Sequence, residues 1–325
     1  MTALLGKELK RDMGGNMSKL VYMNGNTKVY LDLNNGTRIM ETEEDEFDLE
    51  YPVNVDIKLT NKCLVGGCSY CHENSTPNGE QADFDVVLAV LKSFKRGTEI
   101  ALGGGQLTSI RFIEFYDFLK GVKELGLVPN ATFHYKEIID YYRDIKKLQM
   151  NNLLYGIGIS IPEDLTENDY KELAECCEGI NNIVFHVIAG LTSSKTLNLL
   201  IKYFDNPKLL ILGYKTKPNS RGEILYFSKH SDIDKKIKGM SNSINDIMNA
   251  FSVVSFDDLA LEQLDMKNKV SANDWDKYYQ GNDYSTGMYI DFVSQEFARN
   301  STSMNRRPLM TDVKVMFKIT KSEVI

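Results

Sequence analysis

VNVDIKLTNKCLVGGCSYCHENS, residues 53–75, runs from a β-rich stretch straight into a loop that holds three of the chain's five cysteines. Cys63, Cys68 and Cys71 fall within nine positions, spaced C-x4-C-x2-C, with Gly66 and Gly67 between the first two. Three readings compete. Inert buried thiols are one, although unoxidised cysteines this close together are reactive. Zinc held by the three cysteines and His72 is another. Structural zinc uses four tetrahedral ligands, usually from two separated knuckles, but His72 directly follows Cys71 and no second Cys/His pair is close in sequence. The third is an iron–sulfur cluster. Four thiolates normally hold one, so three would leave an iron open to a substrate or cofactor.

The totals narrow the setting. The chain has 325 residues, 42 % hydrophobic and 26 % charged, which is the composition of a folded globular protein rather than a disordered one. That length predicts two domains, or one large α/β domain with attachments. No apolar run approaches the ~18 residues that span a bilayer. MTALLGKELKRDMGG has too short an apolar core for a signal peptide, so a cytoplasmic address is expected. An odd, clustered set of cysteines is unlike a disulfide framework. The net charge of −7 disfavours nonspecific nucleic-acid binding, which needs a basic surface.

Outward from the cysteines, two textures meet near Tyr51-Pro52. Before them, residues 1–16 read as frayed. Residues 20–40 alternate, with Asn24-Gly25 and Asn35-Gly36 as hairpin turns, and predict a small β-meander. The acidic run 41–50 reads as a solvated connector. After them, strands are expected at 53–59, 99–102, 131–135, 154–161, 182–189 and 209–213. Helices are expected at 83–94, 110–125, 137–149, 163–177 and 194–204. Six strands alternating with helices imply right-handed βαβ units and a parallel sheet, open or curled, with ligands at the carboxyl ends of the strands. Past Lys217 the alternation is read as stopping. A helix near 233–250, a helix capped by Ser271, and strands in GMYIDF and VKVMFKI make up a C-terminal third expected to cap the sheet.

The cysteine loop resembles the signature of the radical SAM superfamily, usually C-x3-C-x-aromatic-C after the first strand of a six-stranded partial barrel. Tyr70 stands at the aromatic position, and Gly66-Gly67 can absorb the one extra residue. Further segments resemble the family in order. EIALGGGQLTS resembles its Gly-Gly-Glu motif, which receives the amino group of S-adenosylmethionine, with Gly104, Gly105 and Gln106; the Gln106 amide stands in place of the usual acid and would accept through its carbonyl. Ser160 ends the fourth strand where a polar residue meets ribose or carboxylate. VFHVIAGLTS resembles the adenine motif through Ile188 and Gly190, with His186 where a glycine is usual. The resemblance covers roughly 53–223. It implies an α/β fold, a partial (β/α)6 barrel core at 51–223, an N-terminal extension with β-hairpins at 1–50 and an α+β cap at 224–325.

It also implies a chemistry. Cys63, Cys68 and Cys71 would hold one four-iron, four-sulfur (4Fe-4S) cluster, and S-adenosylmethionine would chelate its open iron. Reductive cleavage would make a 5′-deoxyadenosyl radical that abstracts hydrogen from an unidentified substrate. The electron would come from a donor such as flavodoxin or ferredoxin. Candidate substrate contacts are His134, Lys136, Lys215, Tyr289 and Asp291. Cys176 and Cys177 read as core packing, and the lack of cysteine after Cys177 argues for a single cluster. Two alternatives stay open: a non-catalytic metal-binding protein that keeps the fold, and an activase that makes a protein radical.

Overall fold

The computed structural model describes residues 3–6, 19–65, 68, 71, 73, 75–163, 165–215, 232–279 and 283–323. Gly66, Gly67, Tyr70, His72 and the segment 216–223 lie outside the described residues. Strand β1 (Ala3–Gly6) precedes a three-stranded antiparallel meander of β2 (Lys19–Asn24), β3 (Thr27–Asp32) and β4 (Thr37–Glu41). Gly25 makes the first turn at φ +60°. A Cβ there would lie 1.8 Å from the Asp48 carbonyl oxygen, so the turn needs glycine.

The predicted alternation follows: β5 (Asn54–Thr60), α1 (Phe84–Leu91), β6 (Glu99–Gly104), α2 (Phe112–Glu124), β7 (Val128–His134), α3 (Tyr135–Met150), β8 (Gly156–Ser160), α4 (Glu167–Cys177), β9 (Ile183–Ile188), α5 (Ser194–Tyr203) and β10 (Lys208–Leu212). Then come α6 (Ile233–Asn242), α7 (Ile244–Ala250), β11 (Val253–Phe256), α8 (Asp258–Gln263), α9 (Ala272–Tyr278), α10 (Asp283–Thr286), β12 (Gly287–Asp291), β13 (Glu296–Ala298), β14 (Arg307–Pro308) and α11 (Val313–Ser322). The large sheet runs β1-β11-β10-β9-β8-β7-β6-β5-β12-β13-β14, and every pair from β12 to β11 is parallel.

Four features differ from expectation, each for a local reason. Ala3–Gly6 is not frayed but pairs antiparallel with β11. β11 continues the alternation past Lys217; at four residues it is too short to show a period in sequence. β12 pairs in parallel with β5, from Gly287↔Asn54 to Asp291↔Lys58, so the C-terminal third adds strands to both sides of the predicted six. VKVMFKI is a helix, not a strand. Asp312 caps the N–H groups of Lys314 and Val315, and Val313, Met316, Phe317 and Thr320 are buried at helical spacing.

Side chains alternate across the sheet. One face buries Ile57, Leu102, Phe133, Ile159, Phe185 and Ile211 in the main core, each apolar side chain stabilising the fold by about 1.5–3 kcal/mol. The other face carries Asp56, Glu99, Asn130, Thr132 and His186, which line a cavity of about 1190 Å³. The meander reaches the amino end of this cavity. Arg38 of β4 pairs with Glu99 at 2.7 Å, and Lys208 donates to Asn182 Oδ1 at 2.9 Å and to the Asn35 carbonyl at 3.3 Å. Burial pushes the Glu99 carboxyl up, and Arg38 opposes that shift. No helix among the described residues is long and apolar enough to cross a membrane.

Candidate functional site

β5 leads into the cysteine loop at Thr60, whose hydroxyl donates to the Glu80 carbonyl at 3.0 Å and accepts from the Lys62 N–H at 3.0 Å. The Cys63 N–H donates to the Thr76 carbonyl at 2.8 Å, and the Cys71 N–H to the Cys68 carbonyl at 3.1 Å. None of the three is in a disulfide, and each is half-buried.

The end of β6 is laced onto this loop. The Gly105 N–H donates to the Thr60 carbonyl at 2.6 Å and the Gln106 N–H to the Lys62 carbonyl at 2.7 Å. So close an approach leaves no room for side chains: a Cβ on Gly104 would lie 2.3 Å from the Thr60 oxygen, and one on Gly105 2.2 Å from the Lys62 oxygen. Gly104 also sits at φ +111°. Gly103 differs, with nothing within 4 Å of its would-be Cβ.

Both ends of the Gln106 amide have partners inside the protein. Oε1 accepts from the Leu64 N–H at 2.9 Å, and Nε2 donates to Thr108 Oγ1 at 3.1 Å. Thr108 Oγ1 donates in turn to Glu137 Oε1 at 2.9 Å, and the His134 N–H donates to Glu137 Oε2 at 2.7 Å. Glu137 is buried, which pushes its carboxyl up against the effect of these hydrogen bonds. The carbonyl expected to receive an amino group thus already tethers the cysteine loop. Gln106→Ala is expected to cost about 1–2 kcal/mol of stability, the scale of hydrogen bonds lost from a buried amide. Urea denaturation checks this, and an unchanged midpoint would remove the tether.

The structure gathers some of the other candidates and leaves others apart. Tyr289 and Asp291 lie on one face of β12 beside β5 and meet the cysteine loop through Glu73. The Tyr289 hydroxyl is 3.3 and 3.4 Å from the two Glu73 carboxylate oxygens, and Lys58 Nζ is 2.8 Å from Glu73 and 3.3 Å from Asp291. Lys215 lines the cavity and donates to Ser301 Oγ at 3.1 Å. His134, Ser160 and His186 stand in one register row across β7, β8 and β9. His134 also caps α3, its Nδ1 accepting from the Lys136 N–H at 3.4 Å; Lys136 is exposed beside the Tyr135 ring. Ile188 ends β9, its N–H donating to Thr192 Oγ1 at 3.2 Å. Gly190, at φ +76°, packs beneath α6, where a Cβ would lie 2.7 Å from Ile237. Cys177 is buried in α4 with its thiol pushed up to about 12, and Cys176 beside it is half-buried, as packing residues would be.

His186 fits because residue 158 is glycine; a Cβ there would lie 2.5 Å from its ring. Burial pulls the His186 imidazole down from 6.5 to about 4. The folded chain keeps it neutral while the unfolded chain takes up a proton, so its contribution is whole above pH 6.5 and is lost as the pH falls toward 4. His186→Asn should therefore flatten the acid limb by up to about 1.4 kcal/mol per pH unit. Glu99 and Glu137 act with the opposite sign, but equally in both proteins. Urea midpoints of the two proteins between neutral and acid pH read the difference, and parallel limbs would refute it.

No protein-family profile matches the chain, and no curated protein matches it in sequence. Its structure superposes on Streptococcus suis SuiB bound to precursor peptide SuiA with a TM-score of 0.62 at 11 % identity, over 94 % of this chain and 89 % of SuiB. The two chains share a fold. A second solved structure, anSMEcpe with bound AdoMet and Cp18Cys peptide, aligns with a TM-score of 0.42 at 15 % identity, over 62 % of this chain and 63 % of its own, too loosely to add weight. Within this fold the sequence reading missed Lys58, Glu73, Thr108 and Glu137. Lys58 carried the clearest signal, a lysine in a strand whose last four residues are buried.

Proposed function

We propose that the chain is a radical SAM enzyme with one 4Fe-4S cluster held by Cys63, Cys68 and Cys71, acting on a peptide segment admitted to the cavity. The observation that carries this reading is the set of three cysteines in one loop after β5, none in a disulfide, in a fold like that of SuiB. The donor set favours a cluster over zinc. Structural zinc takes four protein ligands and this loop offers three thiolates, whereas a cluster takes each thiolate on a separate iron. When bound, the cluster and S-adenosylmethionine would supply the one-electron chemistry that takes hydrogen from substrate.

The chain's own residues would position these groups. Gly103 leaves open space at the carboxyl end of β6. With Gly104, Gly105, Ser160 and Ile188 it would border S-adenosylmethionine within a partial-barrel core. His186, neutral and set in the cavity wall, would offer a hydrogen bond without charge. SuiB is seen with a precursor peptide, and 1190 Å³ holds several residues of one, which supports a peptide as substrate. A small redox protein of the flavodoxin or ferredoxin class would deliver the electron.

Anaerobic reconstitution with iron and sulfide, followed by S-adenosylmethionine and a strong reductant, tests the reading. About four irons per chain and release of 5′-deoxyadenosine are expected. A colourless protein that takes up zinc instead would sink it.

A further inference from the structure

We propose that Glu73 is a positioning residue for the cysteine loop, held by Lys58 and Tyr289, so that strand β12 helps to shape the cluster site. The proposal rests on the reading of Cys63, Cys68 and Cys71 as cluster ligands. Glu73 lies two residues after Cys71. Its carboxylate is 2.8 Å from Lys58 Nζ and accepts from the Tyr289 hydroxyl. The side chains of Lys58 and Glu73 are 4 % and 14 % exposed, so this pair is shielded from water and salt, unlike a surface ion pair.

The two carboxylates around Lys58 have different duties. Asp291 is fixed by the sheet, because β12 pairs with β5 in register and the Asp291 Oδ1 accepts from the Ser294 N–H at 2.9 Å. Glu73 sits in the loop after β5, outside the sheet, and its carboxylate meets Lys58 of that strand. A buried lysine needs an anion nearby. Asp291 meets that need with or without Glu73, which leaves Glu73 to hold the loop. Tyr289 adds direction: its ring is backed by the Arg306 guanidinium at 4.6 Å, so its hydroxyl is presented to Glu73 by a packed side chain. Toward Cys63 the same loop is tied by the Cys63–Thr76 and Leu64–Gln106 hydrogen bonds. Glu73 is the charged tie toward Cys71.

The test uses Glu73→Gln and Tyr289→Phe in the full chain. Metal-free protein is pulsed with iodoacetamide, and labelling of each cysteine is read by peptide mass spectrometry, with Cys176 as internal reference and far-ultraviolet circular dichroism as the check on folding. Glu73→Gln keeps the Lys58–Asp291 pair, so the fold should survive while Cys71 labels about tenfold faster than in the parent, the loss of a charged hydrogen bond. Tyr289→Phe should raise the same rate by less. In reconstituted protein, Glu73→Gln should also shift the electron paramagnetic resonance of the reduced cluster. Parental Cys71 labelling in both folded variants would overturn the latch. If the parent takes up no iron, the cluster reading falls, while the labelling rates still decide the latch. If the parent takes up iron and Glu73→Gln matches it in labelling and spectrum, the latch falls and the cluster reading stands.

Discussion

Replacing Cys63, Cys68 or Cys71 singly with alanine will leave almost no iron on the chain after anaerobic reconstitution, whereas replacing Cys176 and Cys177 together will leave the parental amount. The loop offers three thiols, and a cluster that already lacks a fourth protein ligand has none to spare. The loop itself should persist in each single variant, because ties run through the backbone of Cys63 and Leu64 and the side chain of Glu73. Loss of iron would then report a lost ligand and not a collapsed fold. Cys177 is the contrasting case: buried, with its thiol pushed up to about 12, it is a packing residue with little thiolate to offer. Colorimetric iron analysis alongside circular dichroism separates these outcomes. Iron retained by Cys63→Ala and lost by the double variant would reverse the assignment.

Gly105→Ala is expected to destabilise the protein by about 3–5 kcal/mol, while Gly103→Ala, two residues away, should change stability by no more than about 0.5 kcal/mol. A Cβ on Gly105 would meet the Lys62 carbonyl oxygen at 2.2 Å and the Lys62 nitrogen at 3.0 Å. Both are backbone atoms, so no side-chain rotation relieves the contact. Separating the two segments would also break the Gly105–Thr60 and Gln106–Lys62 hydrogen bonds beside the cysteine loop. Gly104→Ala should fall in the same class, since at φ +111° a side chain adds about 1–2 kcal/mol of backbone strain. Gly103 is the internal control, because open space surrounds its would-be Cβ. Urea denaturation of the three variants gives the comparison. Equal midpoints for Gly103→Ala and Gly105→Ala would mean that the triple glycine is an ordinary turn and laces nothing to the loop.

The sequence by itself determined the parts whose cause is local. Cysteine spacing, turn glycines, the Ser271 cap and the alternation from 53 to 213 act through neighbours a few residues apart, and each is found in the structure close to its expected place. A short strand has no such signature. Four residues at 253–256 fit several conformations, and pairing with β10 selects one; GMYIDF was legible as a strand, but its partner β5 was not. VKVMFKI is β-rich in composition, yet the Asp312 cap and one buried helical face outweigh that preference. The role of Gln106 was equally hidden. Its motif named a ligand contact, and its carbonyl also accepts from the Leu64 N–H because the β6 end and the cysteine loop approach within hydrogen-bond distance. Lys58, Glu73 and Tyr289 lie up to 231 positions apart in the chain. Only the tertiary structure brings them together, because strand order in a parallel sheet is set by which buried faces pack and not by any period along the chain.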